Sequence, residues 1–251
     1  MIRLQTSDAL ADLELIRDRN SFHDVLNRSC DALGYKSFVY FSMNTEVVLN
    51  AKLKDTFADM IHVTNIDSSW TEHYIKENYA SSDPVVTDAF KARLPIVWDE
   101  GYRINTLTCD EAQMMADAHD FGIERGLAVP IHGPAGELGM LCLYSDIKGS
   151  KFTAHVTETK HDLHLLANYA HSVAQSKLRT LETPKPIALT DREIEILRWT
   201  TDGKTAWEIG SILSISERTV NFHLQNAMVK FGVHNKTHAA AKAMSYGMLS
   251  F

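Results

Sequence analysis

Residues 205–231 read TAWEIGSILSISERTVNFHLQNAMVKF. Thr205 and Glu208 stand three positions apart, the spacing of a capping box in which hydroxyl and carboxylate each satisfy a free backbone donor at a helix start. Ser216 can cap a second helix, which we expect to run to about Phe231. A short helix, a tight turn and a second helix with a polar outer face are typical of a helix-turn-helix.

The second of these helices combines an apolar stripe with polar flanks. Asn221 and Gln225 lie one turn apart on a flank, and each amide can pair with N6 and N7 of adenine, a discrimination of about 1–3 kcal/mol. Alternatively, these polar residues form only a solvated helix face. The stripe that we predict to be core comprises Val220, Leu224, Ala227, Met228 and Phe231, and the other candidate DNA contacts are Thr205, Arg218, Thr219, His223, Lys230 and Lys236.

Charge and proline positions divide the chain. From Lys185 onward, eight basic and six acidic residues leave the tail at +2, so residues 1–184 carry −9 of the overall −7. Such an asymmetry suits a DNA-facing module joined to an acidic sensor. Pro184 and Pro186 should end the helix that precedes them. We therefore predict an N-terminal domain at 1–181, a linker at 182–188 and a DNA-binding domain at 189–251.

The N-terminal region reads as mixed α and β. Short segments rich in β-branched and aromatic residues predict strands, and apolar residues at helical spacing predict helices. We expect an α+β fold: an α-β-α sandwich around a largely antiparallel sheet, with room for a pocket, followed by an all-α domain of four helices. Strands are predicted at 37–43, 59–66, 95–98, 126–132 and 138–145, the last two joined by a turn at 133–136, and helices at 8–33, 68–78, 83–93, 110–121 and 155–181.

Composition narrows the class of protein. Apolar residues make up 45 % of the 251 residues and charged residues 23 %, an ordinary globular balance. Neither a signal peptide nor a run of 18 apolar residues is visible, and three scattered cysteines suit a reducing compartment. These features predict a cytoplasmic protein without a membrane partner.

The C-terminal region closely resembles the DNA-binding domain of LuxR-type regulators. The resemblance implies that Glu193, Leu197 and Gly203 specify the fold of the module and that Asn221 and Gln225 fall where the family reads bases. The residues that carry it are Leu189 to Glu193, Leu197, Gly203 to Thr205, Glu208-Ile209, Ile215 to Val220, His223-Leu224, Lys230 to Val233 and Asn235 to Thr237.

The N-terminal region resembles the acyl-homoserine-lactone-binding domain of quorum-sensing LuxR-type receptors. The carrying residues, in family order and spacing, are Trp70, Tyr74, Asp83-Pro84, Trp98 and Gly126. No receiver pattern of a phosphorylated response regulator is visible. The resemblance implies a regulatory lactone ligand with no cofactor, a homodimer and double-stranded promoter DNA as partner. The helix at 155–181 and residues 236–248 are candidate dimer surfaces.

The chemistry of these residues suits a ligand with a polar head and an apolar tail. The indole of Trp70 can donate to a lactone carbonyl, and Asp83, if ionised, can accept from the amide N–H. Trp98 would wall the head, and Tyr74 would wall the acyl region or bond to it. Candidate tail contacts are Val86, Met114, Ile123, Leu138 and Met140.

Each of these residues also has a plain structural explanation. A tryptophan is usually core, and Asp83-Pro84 alone reads as a helix start. Two positions depart from the family: Ile66 replaces a common tyrosine, and Cys142 stands where a serine or threonine is frequent. In the family, the tyrosine and the serine or threonine usually bind the acyl carbonyl of the ligand. We therefore expect loose acyl-chain specificity or a different class of acyl chain.

Two other functions compete with the lactone receptor. The first is a regulator with the same two domains that binds another small molecule or none. Ile66 and Cys142, which depart from the family pattern, favour this alternative. The second is a lactone or acyl hydrolase. The sequence argues against it, because it contains no Gly-x-Ser-x-Gly elbow and no zinc signature. The histidines of the long helix, His155, His161, His164 and His171, lack a cysteine or carboxylate cluster, so we expect a solvated or dimer-facing helix and no metal.

Overall fold

The computed structural model describes residues 2–44, 60–133, 137–178 and 188–249. The chain forms two compact units, one of residues 1–133 and 137–180 and the other of Leu181–Phe251. The predicted turn at 134–136 and nearly all of the predicted linker lie outside the described residues.

Five strands form one antiparallel sheet in the N-terminal unit, in the order β2-β1-β5-β4-β3. Successive side chains of a strand point to opposite faces, so this sheet has two distinct apolar faces. Tyr40 and Leu141 belong to one buried cluster, whereas Phe41 and Met140 belong to the other. The strands are β1 (Ser37–Asn44), β2 (Ile61–Thr64), β3 (Ile96–Trp98), β4 (Gly126–His132) and β5 (Glu137–Tyr144).

Helices cover both faces, which confirms the predicted α-β-α sandwich. The first face packs against α1 (Ile2–Leu15), α2 (Arg19–Ala32) and α6 (Ser150–Lys177). The second packs against α3 (Ser68–Lys76), α4 (Pro84–Ala89) and α5 (Cys109–Asp120), with a 3₁₀ turn at Tyr79–Ser81.

The prediction of one helix over 8–33 is wrong. The chain leaves the helical path after Leu15, and Asp18 caps a new helix by accepting from the Ser21 backbone N–H at 2.8 Å while Ser21 bonds back. This capping box favours a fresh start over a continuous helix. The long helix likewise starts earlier than predicted, at Ser150, directly after Gly149 with its positive φ of 60°.

The C-terminal unit contains four helices within its described residues: α7 (Asp191–Thr201), α8 (Ala206–Leu213), α9 (Glu217–Phe231) and α10 (Lys236–Ser245). The capping boxes at Thr190 and Thr205 are both present, and Ser216 caps α9. Val220, Leu224, Ala227 and Phe231 are buried and Met228 partly so, which confirms the predicted stripe.

No helix within the described ranges combines the length and the apolar character that crossing a membrane requires.

Candidate functional site

A cavity lies on the second face of the sheet, between the strands and helices α3, α4 and α5. The cavity has a volume of about 110 Å³. One water needs roughly 10–15 Å³ by the same measure, so the space admits a small organic molecule. Its described lining consists of Val39, Phe41, Met43, Met60, His62, Trp70, Thr71, Tyr74, Ile75, Ala80, Asp83, Val85, Val86, Trp98, Met114, Met115, Ala118, Ile123, Met140, Cys142 and Tyr144.

Nine of the eleven side chains predicted to touch a ligand line this cavity. Trp70 and Asp83, on which the predicted head group depends, are both among them. Ile66 is not: it follows β2 and packs, partly buried, against the apolar cluster of this face. Leu138 is also not among the lining residues. It lies near the start of β5, two residues before Met140 on the same face of the strand.

Asp83 combines a structural and a potential ligand-binding role. Its side chain is buried, and Oδ1 accepts hydrogen bonds from the backbone N–H groups of Val85 (2.8 Å) and Val86 (3.1 Å). The helix-start interpretation of Asp83-Pro84 is therefore correct, and it coexists with a position on the cavity wall. Burial raises the pKa of Asp83 from 3.8 to about 6, against the opposing effect of these hydrogen bonds and of one from Tyr74.

The hydroxyl of Tyr74 donates to Asp83 Oδ2 at 3.1 Å. The pKa of Tyr74 is raised mainly by burial and secondly by the negative charge of Asp83, so the phenol keeps its proton. With its hydrogen committed to Asp83, the phenol oxygen retains lone pairs that can accept a further hydrogen bond.

Trp98 closes another part of the wall. Its indole packs edge-on to Tyr144, with ring centroids 5.7 Å apart. A Cβ added at Gly126 would lie 3.1 Å from this indole and 2.3 Å from the Leu143 carbonyl oxygen, so glycine is required for the close approach. The Trp98 Nε1 atom is buried without a hydrogen-bond partner among the described residues.

A polar cluster behind Trp70 was not predicted from the sequence. Asp117 on α5 accepts hydrogen bonds from His73 Nε2 on α3 and from the Tyr79 hydroxyl, each at 2.6 Å, and a third from Gln113. Hydrogen bonding by Tyr79, and next by His73, lowers the pKa of Asp117. The Trp70 ring contacts His73, Tyr74, Tyr79 and Phe121, with centroid distances of 5.2–6.3 Å.

The remaining wall is mostly apolar and was largely missed. Alternation along β1 places Val39, Phe41 and Met43 on the face that also carries Met140, a signal that the strand pattern contained. His62 also lines the cavity, and burial lowers its pKa, which favours the neutral imidazole. Cys142 carries a buried thiol whose pKa is raised by that burial, so it stays protonated.

The expectation of a solvated or dimer-facing histidine helix is wrong for His171. This residue is buried beneath the sheet, where its Nδ1 lies 3.1 Å from the Tyr40 hydroxyl. His161 is exposed, as expected. Within the described residues, no three histidine, cysteine or acidic side chains form a group that could hold a metal ion.

Helix α9 presents the side chains predicted to contact DNA. Arg218, Asn221 and Gln225 are exposed, and His223 is half-buried. Thr219 bonds to the capping Ser216 at 2.8 Å. Outside α9, Thr205 caps α8 and Lys236 stands exposed at the start of α10.

Lys230, one of the predicted DNA contacts, forms an ion pair within the domain. Its ammonium lies 2.7 Å from Oε2 of Glu193, a side chain that is only 2 % exposed. Burial opposes ionisation of Glu193, but the hydrogen bonds from Lys230 and from the Thr190 backbone N–H outweigh it and lower the pKa. Lys230 therefore has a structural role, because it neutralises a buried carboxylate.

Comparison with known families matches both units. Residues 18–174 match the autoinducer binding domain, and residues 188–243 match the luxR family of bacterial regulatory proteins. The chain is 30 % identical to the transcriptional activator VanR of Vibrio anguillarum, with 94 % of this chain and 93 % of VanR covered. It is 31 % identical to the quorum-sensing regulator RhlR of Pseudomonas aeruginosa, with 95 % and 94 % covered.

Solved structures share the fold. Escherichia coli SdiA superposes with a TM-score of 0.75 at 22 % identity, covering 98 % of both chains. SdiA in complex with octanoyl-rac-glycerol gives the same TM-score at 23 % identity, covering 97 % of this chain and 94 % of that one.

The fold and its two sites define a regulator in which a small-molecule sensor unit is joined to a DNA-binding helix-turn-helix. The chain belongs to the luxR family of bacterial regulatory proteins that carry an autoinducer-binding domain. It is a quorum-sensing transcriptional regulator and not an enzyme, as the sequence predicted.

Proposed function

We propose that the protein binds an N-acyl-homoserine lactone in the cavity and binds promoter DNA as a homodimer through α9. One observation carries the proposal: Trp70, Tyr74 and Asp83 line the same cavity, whose other walls are mainly apolar. This distribution of donor, acceptors and apolar surface suits a ligand with an amide-linked polar head and an acyl tail.

Each polar side chain has a distinct task in this proposal. Asp83, ionised above pH 6, accepts a hydrogen bond from the ligand's amide N–H. It uses carboxylate lone pairs that are not engaged by Tyr74 or by the backbone N–H groups of Val85 and Val86. Trp70 donates to the lactone carbonyl, and the oxygen of Tyr74 accepts or packs against the first atoms of the chain. Trp98 packs against the lactone ring. The acyl chain lies among methionines, at about 0.8 kcal/mol for each buried methylene.

Five methionines line the described wall, which bears on specificity. The side chains of Met43, Met60, Met114, Met115 and Met140 are unbranched and fill irregular space, so they adapt to chains of different length. Ile66 has no side-chain hydrogen-bond donor and lies outside the described lining, so this position offers no partner for the acyl carbonyl. We therefore expect tolerance of several acyl chains.

The domain boundaries belong to the same proposal. Residues 1–181 form the sensor, 182–188 the linker and 189–251 the DNA-binding domain, as the matches at 18–174 and 188–243 support. Asn221 and Gln225 contact base edges. The proposed backbone contacts are Thr205, Arg218, Thr219, His223 and Lys236.

Dimerisation is proposed through α6, whose outer side carries Leu165 with 51 % exposure, and through α10. A two-fold dimer predicts a near-palindromic operator with half-sites about one helical turn apart.

A second candidate ligand is a monoacylglycerol, since the similar SdiA structure holds octanoyl-rac-glycerol. Its hydroxyl groups could donate to Asp83 in place of an amide. Titration calorimetry of the purified protein with acyl-homoserine lactones of increasing chain length and with 1-octanoylglycerol separates the two. Binding of a lactone supports the proposal, and binding of the glycerol ester alone replaces it.

A further inference from the structure

Helix α9 carries one large aromatic side chain that is exposed to solvent, Phe222. Phe222 is 60 % exposed, although the same helix buries Val220, Leu224 and Ala227 to 3 % or less. At about 100° per residue, Phe222 lies nearly opposite this buried stripe. Its ring therefore contributes little to the core of the domain and stands on the outermost line of the helix.

The neighbours of Phe222 are the polar side chains predicted to contact DNA. Arg218 and Gln225, four residues before and three after, lie next to it on the helix surface, and both are exposed. The ring packs edge-on against His223, with centroids 5.6 Å apart and planes inclined at 70°. Phe222 thus stands between the two polar flanks of the helix. When such a helix enters the major groove, this line of side chains faces the base edges.

We propose that Phe222 contacts the C5-methyl group of a thymine in the operator and so helps to determine sequence specificity. Thymine alone among the bases presents a methyl group in the major groove, and phenylalanine is among the side chains that contact it. Asn221 lies beside Phe222 and suits adenine, whose partner in the base pair is thymine. The inference rests on the proposed function, because it requires α9 in the groove.

The experiment removes single methyl groups from the DNA. Full-length protein, with the acyl-homoserine lactone that stabilises it most, selects duplexes from a random library. Each thymine of the selected site is then replaced by deoxyuridine, which differs only by the C5-methyl group. Wild type should lose about fourfold in affinity at one thymine of a half-site, the effect of one apolar carbon. Phe222→Ala should bind the thymine and deoxyuridine duplexes equally at that position.

Val229→Ala is the matched control. Val229 is 71 % exposed and lies seven residues further along the same line, so its truncation removes exposed apolar surface about two turns away from Phe222. It should keep the response of wild type at the thymine assigned to Phe222. Because both side chains are exposed, circular dichroism should show native folding of both variants.

Three results would overturn the inference. Wild type could be insensitive to deoxyuridine at every thymine, or Phe222→Ala could retain the full response. Phe222→Ala could also bind all duplexes like wild type while losing transcriptional activation, which would assign the ring to a protein partner. Failure of wild type to select any duplex would instead refute the proposed DNA binding itself.

Discussion

The Tyr74 hydroxyl donates a hydrogen bond of 3.1 Å to Asp83, joining α3 to the start of α4 across the wall of the cavity. The same carboxylate caps α4 through two backbone N–H groups. One residue thus holds a helix start, a tyrosine and, in the proposed complex, the ligand amide. The fold and the binding site share this charge, so a test must separate the two roles.

Asp83→Asn makes that separation. Asparagine is as good an N-cap as aspartate, so near pH 4, where Asp83 is protonated in the folded protein, the variant should be about as stable as wild type. Its amide nitrogen adds donors where the ligand N–H needs an acceptor. We expect a loss of about 10- to 100-fold in lactone affinity, measured by titration calorimetry, from the missing charge-assisted hydrogen bond.

Asp83→Ala is the companion variant, since it removes the cap as well and should be about 1 kcal/mol less stable than Asp83→Asn in urea unfolding. Unchanged lactone affinity in Asp83→Asn would remove Asp83 from the proposed ligand contacts.

The raised pKa of Asp83 predicts opposite pH dependences for stability and for binding. The folded protein holds this proton more tightly than the unfolded chain, so the contribution of Asp83 to stability is complete below pH 4 and is lost as the pH rises through about 6. The change from 3.8 to about 6 corresponds to roughly 3 kcal/mol. Lactone affinity should instead rise over the same range, because the ionised carboxylate accepts the amide.

Both dependences are measured as differences between wild type and Asp83→Asn from pH 4 to 7.5, which cancels the other titrating groups. Parallel curves for the two proteins would contradict the assignment.

Sequence reasoning succeeded where the signal is local. Short segments rich in β-branched and aromatic residues identified all five described strands, and the Thr205–Glu208 pair located the start of α8. It missed partners that are distant along the chain. The pattern of α9 predicts Lys230 as a DNA contact but does not reveal Glu193, 37 positions away, which the fold brings to within 2.7 Å.

The Asp117 cluster illustrates the same limit. His73 and Asp117 are 44 positions apart and belong to different helices, so no periodicity relates them. By contrast, the spacing from Trp70 to Gly126, read through the family resemblance, predicted four residues of the cavity wall: Trp70, Tyr74, Asp83 and Trp98.

Lys230→Met should destabilise the DNA-binding domain without changing its electrostatic contact with DNA. The variant leaves Glu193 buried without its cation, at a cost of roughly 2–3 kcal/mol in chemical unfolding. Combining it with Glu193→Gln, which keeps a side chain able to bond the Thr190 backbone, should recover part of this loss. The salt dependence of DNA affinity should keep its slope, whereas Lys236→Ala should lower the slope by about 1. A lowered slope in Lys230→Met would return this lysine to the phosphate contacts.

Asp117 should position Trp70 for ligand binding although it is not among the cavity-lining residues. Asp117→Ala releases His73 and Tyr79, which pack against the Trp70 indole, and so frees the ring to leave its binding orientation. We expect lactone affinity to fall about tenfold, equivalent to about 1.4 kcal/mol, together with a change in near-ultraviolet circular dichroism. Gln113→Ala is the control, because it removes only the bond within α5 and should leave affinity and spectrum unchanged. A purely structural role would lower the unfolding free energy of Asp117→Ala while its folded fraction bound lactone with wild-type affinity, and that outcome would refute the positioning role.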